Sequence, residues 1–406
     1  MSSGDTAWIL ISAALVMLMT PGLALFYAGM VRKKNVLSTM MMSFAILGVI
    51  GVLWVLYGYT LAFGPDKGGI IGGLDWIGLR NVGQAPSSTY ATTVPHLAFM
   101  MYQGMFAIIT VALMTGAVVE RIKFSSLLIF SVLWFTLIYC PVAHWVWGSG
   151  GWLSKLGALD FAGGTVVHIT AGVSAMALAL VLGPRKGFAE KQPMEPANIP
   201  MVALGAALLW FGWFGFNAGS ALSAGGLAAN AFVATNTAAC TAAITWMFLG
   251  WMHRRPSLLG VATGAVVGLV AITPAAGFVH PLAAIPIGMV AAAISFYVMM
   301  WRSRQKVDES LDVWACHGMG GTTGAILTGV FATTAVNAAG KNGLLYGGGF
   351  NLLAAQLIAV AAVWAFAFSI TFVVLKIMSK VAIIRMSKEE ERVGADIVQH
   401  GETAYA

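Results

Sequence analysis

Two histidines stand inside long apolar stretches of this chain, His168 in DFAGGTVVHITAG and His317 in DVWACHGMGG. An imidazole can accept a proton on one ring nitrogen while donating from the other, and it does so near neutral pH. Each histidine follows an aspartate, Asp160 and Asp312 respectively. Ionisable groups at membrane depth are costly unless paired, so they mark pathways and relays. If the stretch from Asp160 to His168 is helical, it covers about 12 Å of depth. A lone histidine can also serve as a hydrogen bond between neighbouring helices. Two at corresponding places in the chain weigh against that reading. Bis-histidine ligation of a haem is the redox alternative, but each helix offers one candidate and no second pair follows.

A second set of residues could hold a small cation. Phe106 lies in one apolar stretch and Trp147 ends the next, while WFGWFGFNAGS (210–220) contains Trp213, Phe216, Asn217 and Ser220. Aromatic faces attract a cation, and a hydroxyl oxygen can accept its hydrogen bond. The competing reading is an interfacial belt of aromatic residues, which is routine at membrane boundaries.

These residues need elements to carry them, and composition says which. Apolar residues make up 59% of the 406 and charged residues 9%, with a mean hydropathy of +0.84. A soluble domain carries about 25% charged residues, so a water-soluble fold is excluded. The apolar runs are long and continuous rather than alternating, which excludes a barrel. They predict eleven membrane-spanning helices near 7–30, 37–63, 97–119, 124–147, 163–184, 199–219, 228–252, 258–279, 281–301, 311–335 and 350–380. The longest connection, 64–96, is polar.

Counting Lys and Arg orients the helices. With eleven spans, eighteen basic residues fall on the side of the C-terminus: Arg32 to Lys34, Arg121, Lys123, Arg185, Lys186, Lys191, Arg254, Arg255, Arg302, Arg304, Lys306 and five from Lys376 onward. Lys67, Arg80, Lys155 and Lys341 make only four on the other. Basic residues favour the cytoplasm, so the N-terminus is expected outside and the C-terminus inside. The net charge of +7 is thereby explained without nucleic acid. Spans 1–5 and 6–10 then form two inverted halves (about 7–184 and 199–335), with span 350–380 appended and 381–406 a cytoplasmic tail. Inverted halves place substrate sites at the midplane, where both histidines would meet.

Glycine is informative too. Gly260, Gly264 and Gly268 recur every four residues, and Gly318, Gly320, Gly321 and Gly324 crowd the stretch after His317. Both patterns let backbones approach closely. Cys140, Cys240 and Cys316 have no disulfide or metal-ligand spacing. MSSGDTAW lacks a basic n-region, so no signal peptide is expected. No metal, cofactor or enzymatic centre is expected.

The stretches PGLALFYAGMVRKKN (21–35), MTGAVVERIKF (114–124), LDFAGGTVVHITAG (159–172), LLWFGWFGFNAGS (208–220), the run 254–278, DVWACHGMGG (312–321) and the tail 389–405 together resemble the ammonium transporter (Amt/Mep/Rh) family, in its microbial Amt branch. The resemblance implies transport of ammonium, with methylammonium as a further substrate. It implies an outer recruitment site at Phe106, Trp147 and Ser220, and stacked gate rings at Phe106 and Phe216. His168 and His317 would be the paired pore histidines, with Trp213 beside them. Asp160 would support the recruitment site and bear on deprotonation, while Asp312 and Thr263 are further supporting positions. Thr263 stands where relatives often carry Ser, and Tyr102 where they often carry Phe. The resemblance also implies a homotrimer in the inner (cytoplasmic) membrane and a PII-type signal protein at the cytoplasmic face. Some members act as sensors through partners, which keeps an ammonium sensor as the alternative. KEEER (388–392) reads on its own as a solvated face; the resemblance turns it toward subunit contact and partner docking.

Overall fold

The computed structural model describes residues 1–253 and 255–405, so Arg254 lies outside the described residues. Among the described residues, nine helices are long and apolar enough to cross a bilayer. They are α1 (Ser3–Met30), α2 (Lys33–Phe63), α3 (His96–Ala117), α4 (124–147), α5 (Gly164–Leu182), α6 (Ile199–Ala221), α7 (Gly226–His253), α9 (Pro281–Arg302) and α11 (Asn351–Val381). Two shorter ones, α8 (Leu258–Ile272) and α10 (314–331), complete the eleven. Their ends fall within a few residues of the hydropathy boundaries. The largest differences are at α8 and α10. Turns replace helix over 273–279, and 332–335 leaves the helix after Phe331.

Local chemistry sets several of the starts. Ser2, Asn198 and Ser257 each accept a backbone N–H in the first turn of α1, α6 and α8, which satisfies donors that have no partner within the helix. The outer connection 64–95 carries two short antiparallel pairs, Asp66–Lys67 with Ile71–Gly72 and Pro86–Ser87 with Ala91–Pro95.

Packing then brings the site together. The first span lies along the sixth, and the fifth lies against the tenth. A β-carbon on Gly172 of α5 would come within 2.1 Å of the Gly318 backbone on α10. Only glycine at that contact lets the two histidine-bearing helices touch. The glycine repeat of α8 does the same against α7, where Gly268 faces the Ala238 carbonyl.

Basic residues of the richer side meet at one end of the bundle. Glu120 accepts hydrogen bonds from Arg32, Arg185 and Asn35, and Asp308 accepts three from Arg185. Arg121 donates to the Asp308 carbonyl and to Ser310. The tail joins this end. Its short helix α12 (Lys388–Val393) starts with a capping box at Ser387 and Glu390. KEEER is only partly a solvated face. Glu389 and Arg392 pair in solvent, but Glu391 is buried, paired with Arg385 and bonded to the Lys186 N–H.

Candidate functional site

Near the outer end of the bundle, α3, α4 and α6 present Phe106, Trp147 and Ser220 together. The Phe106 and Trp147 rings meet edge-to-face at 5.9 Å. Beneath them Phe106 stacks on Phe216 with centroids 4.2 Å apart. Trp147 and Ser220 are half-buried, whereas Phe106 and Phe216 are buried. Water therefore reaches the first pair and stops at the second.

Each wall of this site is braced. The Tyr102 hydroxyl lies 2.9 and 2.8 Å from the carbonyl oxygens of Gly215 and Phe216, and 3.1 Å from Ser220 Oγ. Ser220 itself donates to the Phe216 carbonyl. On the opposite wall Trp147 Nε1 donates to the Asp160 carbonyl at 2.9 Å.

The segment before α5 is not helical. Asp160 sits in an irregular turn, and its carboxylate accepts four backbone N–H groups, from Gly163, Gly164, Thr165 and Val166. The rise of about 12 Å expected for a continuous helix from Asp160 therefore does not apply. With both oxygens engaged by the helix start, Asp160 holds α5 and, through its carbonyl, Trp147.

Below the stacked phenyl rings His168 and His317 face each other, Nδ1 to Nδ1 at 3.2 Å. Both lie in wider π-helical turns, Gly164–Ile169 and Trp314–Met319. Such turns recur at functional sites because they swing a side chain off the regular helical face. Phe216, His168 and Trp213 continue the stack, with His168 5.9 Å from Phe216 and 5.4 Å from Trp213. Trp213 Nε1 donates to Thr273 Oγ1. His168 Nε2 has no partner among the described residues.

The cavity around the pair measures about 10 Å³, room for about one water-sized molecule. Except for the histidines and Trp213, hydrocarbon side chains such as Met19, Leu23, Ile109 and Val266 line it. A second small cavity, of about 20 Å³, follows on the other side of His317 between Phe26, Tyr27, Thr263 and Cys316. A separate chamber of about 680 Å³ at the cytoplasmic end shares Met30, Thr263 and Leu311 with it and is lined in part by Asp312. Thr263 thus belongs to the inner exit, with its hydroxyl bonded to the Leu259 carbonyl.

Asp312 is not the counterpart of Asp160 that the two Asp…His segments suggested. It pairs with Arg302 at 2.8 Å, and the start of α10 is held by Glu309, which accepts the Trp314 N–H. Glu309 escaped sequence reading because it lies eight residues before His317 in a charged loop, although that interval is the same as from Asp160 to His168.

A profile of the Ammonium Transporter Family matches residues 7–405. The chain belongs to the ammonium transporter family. The ammonium transporter of Bacillus subtilis is 52% identical over 407 residues, covering 100% of this chain and 99% of the relative. Amt1 of Archaeoglobus fulgidus is 51% identical over 405 residues, covering 100% of both chains. Among solved structures, Candida albicans Mep2 superposes with a TM-score of 0.91 at 38% identity, over 100% of this chain and 90% of its own. A structure described as a sensor Amt protein reaches 0.90 at 28% identity, over 98% of each chain. The protein is therefore a membrane-spanning ammonium transporter and not an enzyme, and its helical bundle is the family's.

Proposed function

We propose that this transporter takes ammonium apart to move it. Ammonium binds between the Trp147 and Phe106 rings with a hydrogen bond to Ser220 Oγ. A cation held by aromatic faces gains about 0.5–2 kcal/mol. Passing the Phe106–Phe216 stack strips its remaining water, and a charge does not cheaply enter a hydrocarbon-lined space of this size. The proton leaves, ammonia crosses through the small cavities, and His168 and His317 carry the proton separately, giving net charge movement. The observation that carries this reading is the 3.2 Å histidine pair inside the carbon-lined constriction. Potassium has no proton to lose, so it is refused.

Several further features belong to the same reading. The ten spans 7–184 and 199–335 act as inverted halves with α11 added, and residues 381–406 act as a regulatory tail. The protein works as a homotrimer in the inner membrane, answers to a PII-type protein at its cytoplasmic face, and accepts methylammonium. A sensor role is the second reading, supported by the likeness to the sensor Amt protein and by the docked tail.

The test is the current evoked by ammonium in proteoliposomes, with potassium as control. A saturable inward current for ammonium alone, lost in His168→Ala and His317→Ala, is expected. A luminal pH change without current would replace charge movement by neutral ammonia conduction. Binding with neither current nor pH change would establish the sensor reading.

A further inference from the structure

The eleventh span contributes nothing to the walls of the cavities around the histidines, yet it carries one buried amide with every bonding group engaged toward the site. Gln356 of α11 is 1% exposed. Its Oε1 accepts the Leu159 N–H at 2.7 Å, and its Nε2 donates to the Leu159 carbonyl at 2.9 Å. The remaining Nε2 hydrogen goes to the Ala325 carbonyl of α10 at 2.8 Å. The side-chain amide thus grips both backbone groups of one residue, as a neighbouring strand would, and ties that residue to α10.

Leu159 is the residue before Asp160, in the irregular turn where no helix or sheet fixes the backbone. The Asp160 carbonyl is the acceptor for Trp147 Nε1. The geometry points to Gln356 as a positioning residue for ammonium recruitment: it sets the height of the turn whose carbonyl holds the Trp147 ring against Phe106. It touches no substrate and acts only through Leu159 and Asp160. The inference rests on the recruitment role proposed above for Trp147.

The side chain is suited to this in a way its neighbours in size are not. Methionine matches its length but bonds to neither Leu159 group. Glutamate keeps the acceptor for the Leu159 N–H but loses both donors. Loss of the grip frees the turn, and with it the indole, while leaving Ser220 and the opposite wall as they are.

The experiment compares Gln356→Met and Gln356→Glu with the wild type in reconstituted trimeric or monomeric protein as purified, reading KM and kcat for ammonium current. Hydrogen exchange over residues 157–163 is followed on the same samples. A net hydrogen bond of about 1 kcal/mol corresponds to a factor of five to ten, so KM is expected to rise about five- to tenfold in Gln356→Met with kcat within about twofold. Gln356→Glu should raise KM at least as far, because its carboxylate would face the Leu159 and Ala325 carbonyl oxygens without a donor. Exchange of the Leu159 amide should quicken while the helices keep their protection. In a Trp147→Phe background, which lacks the indole N–H, Gln356→Met should change KM far less, because coupled residues are non-additive. An unchanged KM, an equal rise in the Trp147→Phe background, or a fall in kcat alone would overturn the assignment. If the wild type passes no ammonium, the transport reading fails; the exchange result then decides for Gln356, and an unchanged Leu159 amide overturns the grip.

Discussion

His168 and His317 meet through the same ring nitrogen, Nδ1 to Nδ1 at 3.2 Å, so one hydrogen must be shared between two acceptors. When neutral, one ring carries its hydrogen at Nδ1 and the other at Nε2. The pair therefore has a direction, and passing one proton through it reverses that direction. If the pair relays a proton as proposed, it has no half-strength form. Replacing either histidine with alanine should lower ammonium flux as far as replacing both, since residues that act as a unit are not additive. Currents from the two single variants and the double variant check this, and a double variant far slower than either single one would count against a shared relay.

The Tyr102 hydroxyl connects Ser220 to the last carbonyls of α6. Tyr102→Phe keeps the ring beside Phe106 but leaves Ser220 without that brace. One lost hydrogen bond is worth about 0.5–1.5 kcal/mol, so KM for ammonium should rise a few-fold with little change in kcat. Steady-state currents at graded ammonium concentrations measure it.

The cytoplasmic carboxylates should respond to pH with opposite signs. Burial works against charge on Glu120 and Asp308, but Arg185 and its neighbours hold both below the ordinary carboxylate range. Their contribution is complete at neutral pH and disappears as pH falls through those lowered values. Glu309 behaves otherwise. Burial, and then the charge of Asp312, push it up to about 7 against the pull of Arg302. The folded protein keeps that proton where the unfolded chain has lost it, so stability falls as pH rises from the ordinary glutamate range to about 7. Glu309→Gln should flatten this part of the profile, measured as unfolding temperature against pH in detergent.

The tail supplies acceptors to two helix starts. Asp396 accepts the Ser38 N–H of α2 at 2.7 Å, and Gln399 accepts the Phe124 N–H of α4 at 2.6 Å. Losing a cap costs about 1 kcal/mol, so truncation after Lys380 should lower the unfolding temperature by several degrees and change flux. Unchanged stability and flux would remove the tail from both roles.

Hydropathy and Lys/Arg placement were enough to locate the eleven helices, because bilayer thickness dictates their length and the cytoplasm attracts their flanking charges. Residue types singled out His168 and His317, and the family resemblance added Phe106, Trp147, Phe216 and Ser220; the fold brings the Phe106, Trp147 and Phe216 rings together above the histidine pair. What stayed hidden depended on backbone detail. The π turns under both histidines change which neighbours they face, and no residue pattern announces them. The predicted fifth span begins at 163, after Asp160, but the four backbone N–H groups that its carboxylate gathers could not be read from residue types. Glu309, rather than the Asp312 that precedes His317 in the sequence pattern, accepts the N–H at the start of α10, since charge alone does not tell which carboxylate points at a helix start. Gln356 and Thr273 act through hydrogen bonds across the bundle, contacts that have no signature in local sequence.

The passage widens abruptly, from about 10 Å³ at the histidines to about 680 Å³ at the cytoplasmic mouth. Under the mechanism proposed above, ammonia leaving the constriction would be hydrated and regain its proton in that chamber. With no large moving part, such a shape sets how fast ammonium equilibrates across the bilayer, while its concentration gradient and the membrane potential set the direction.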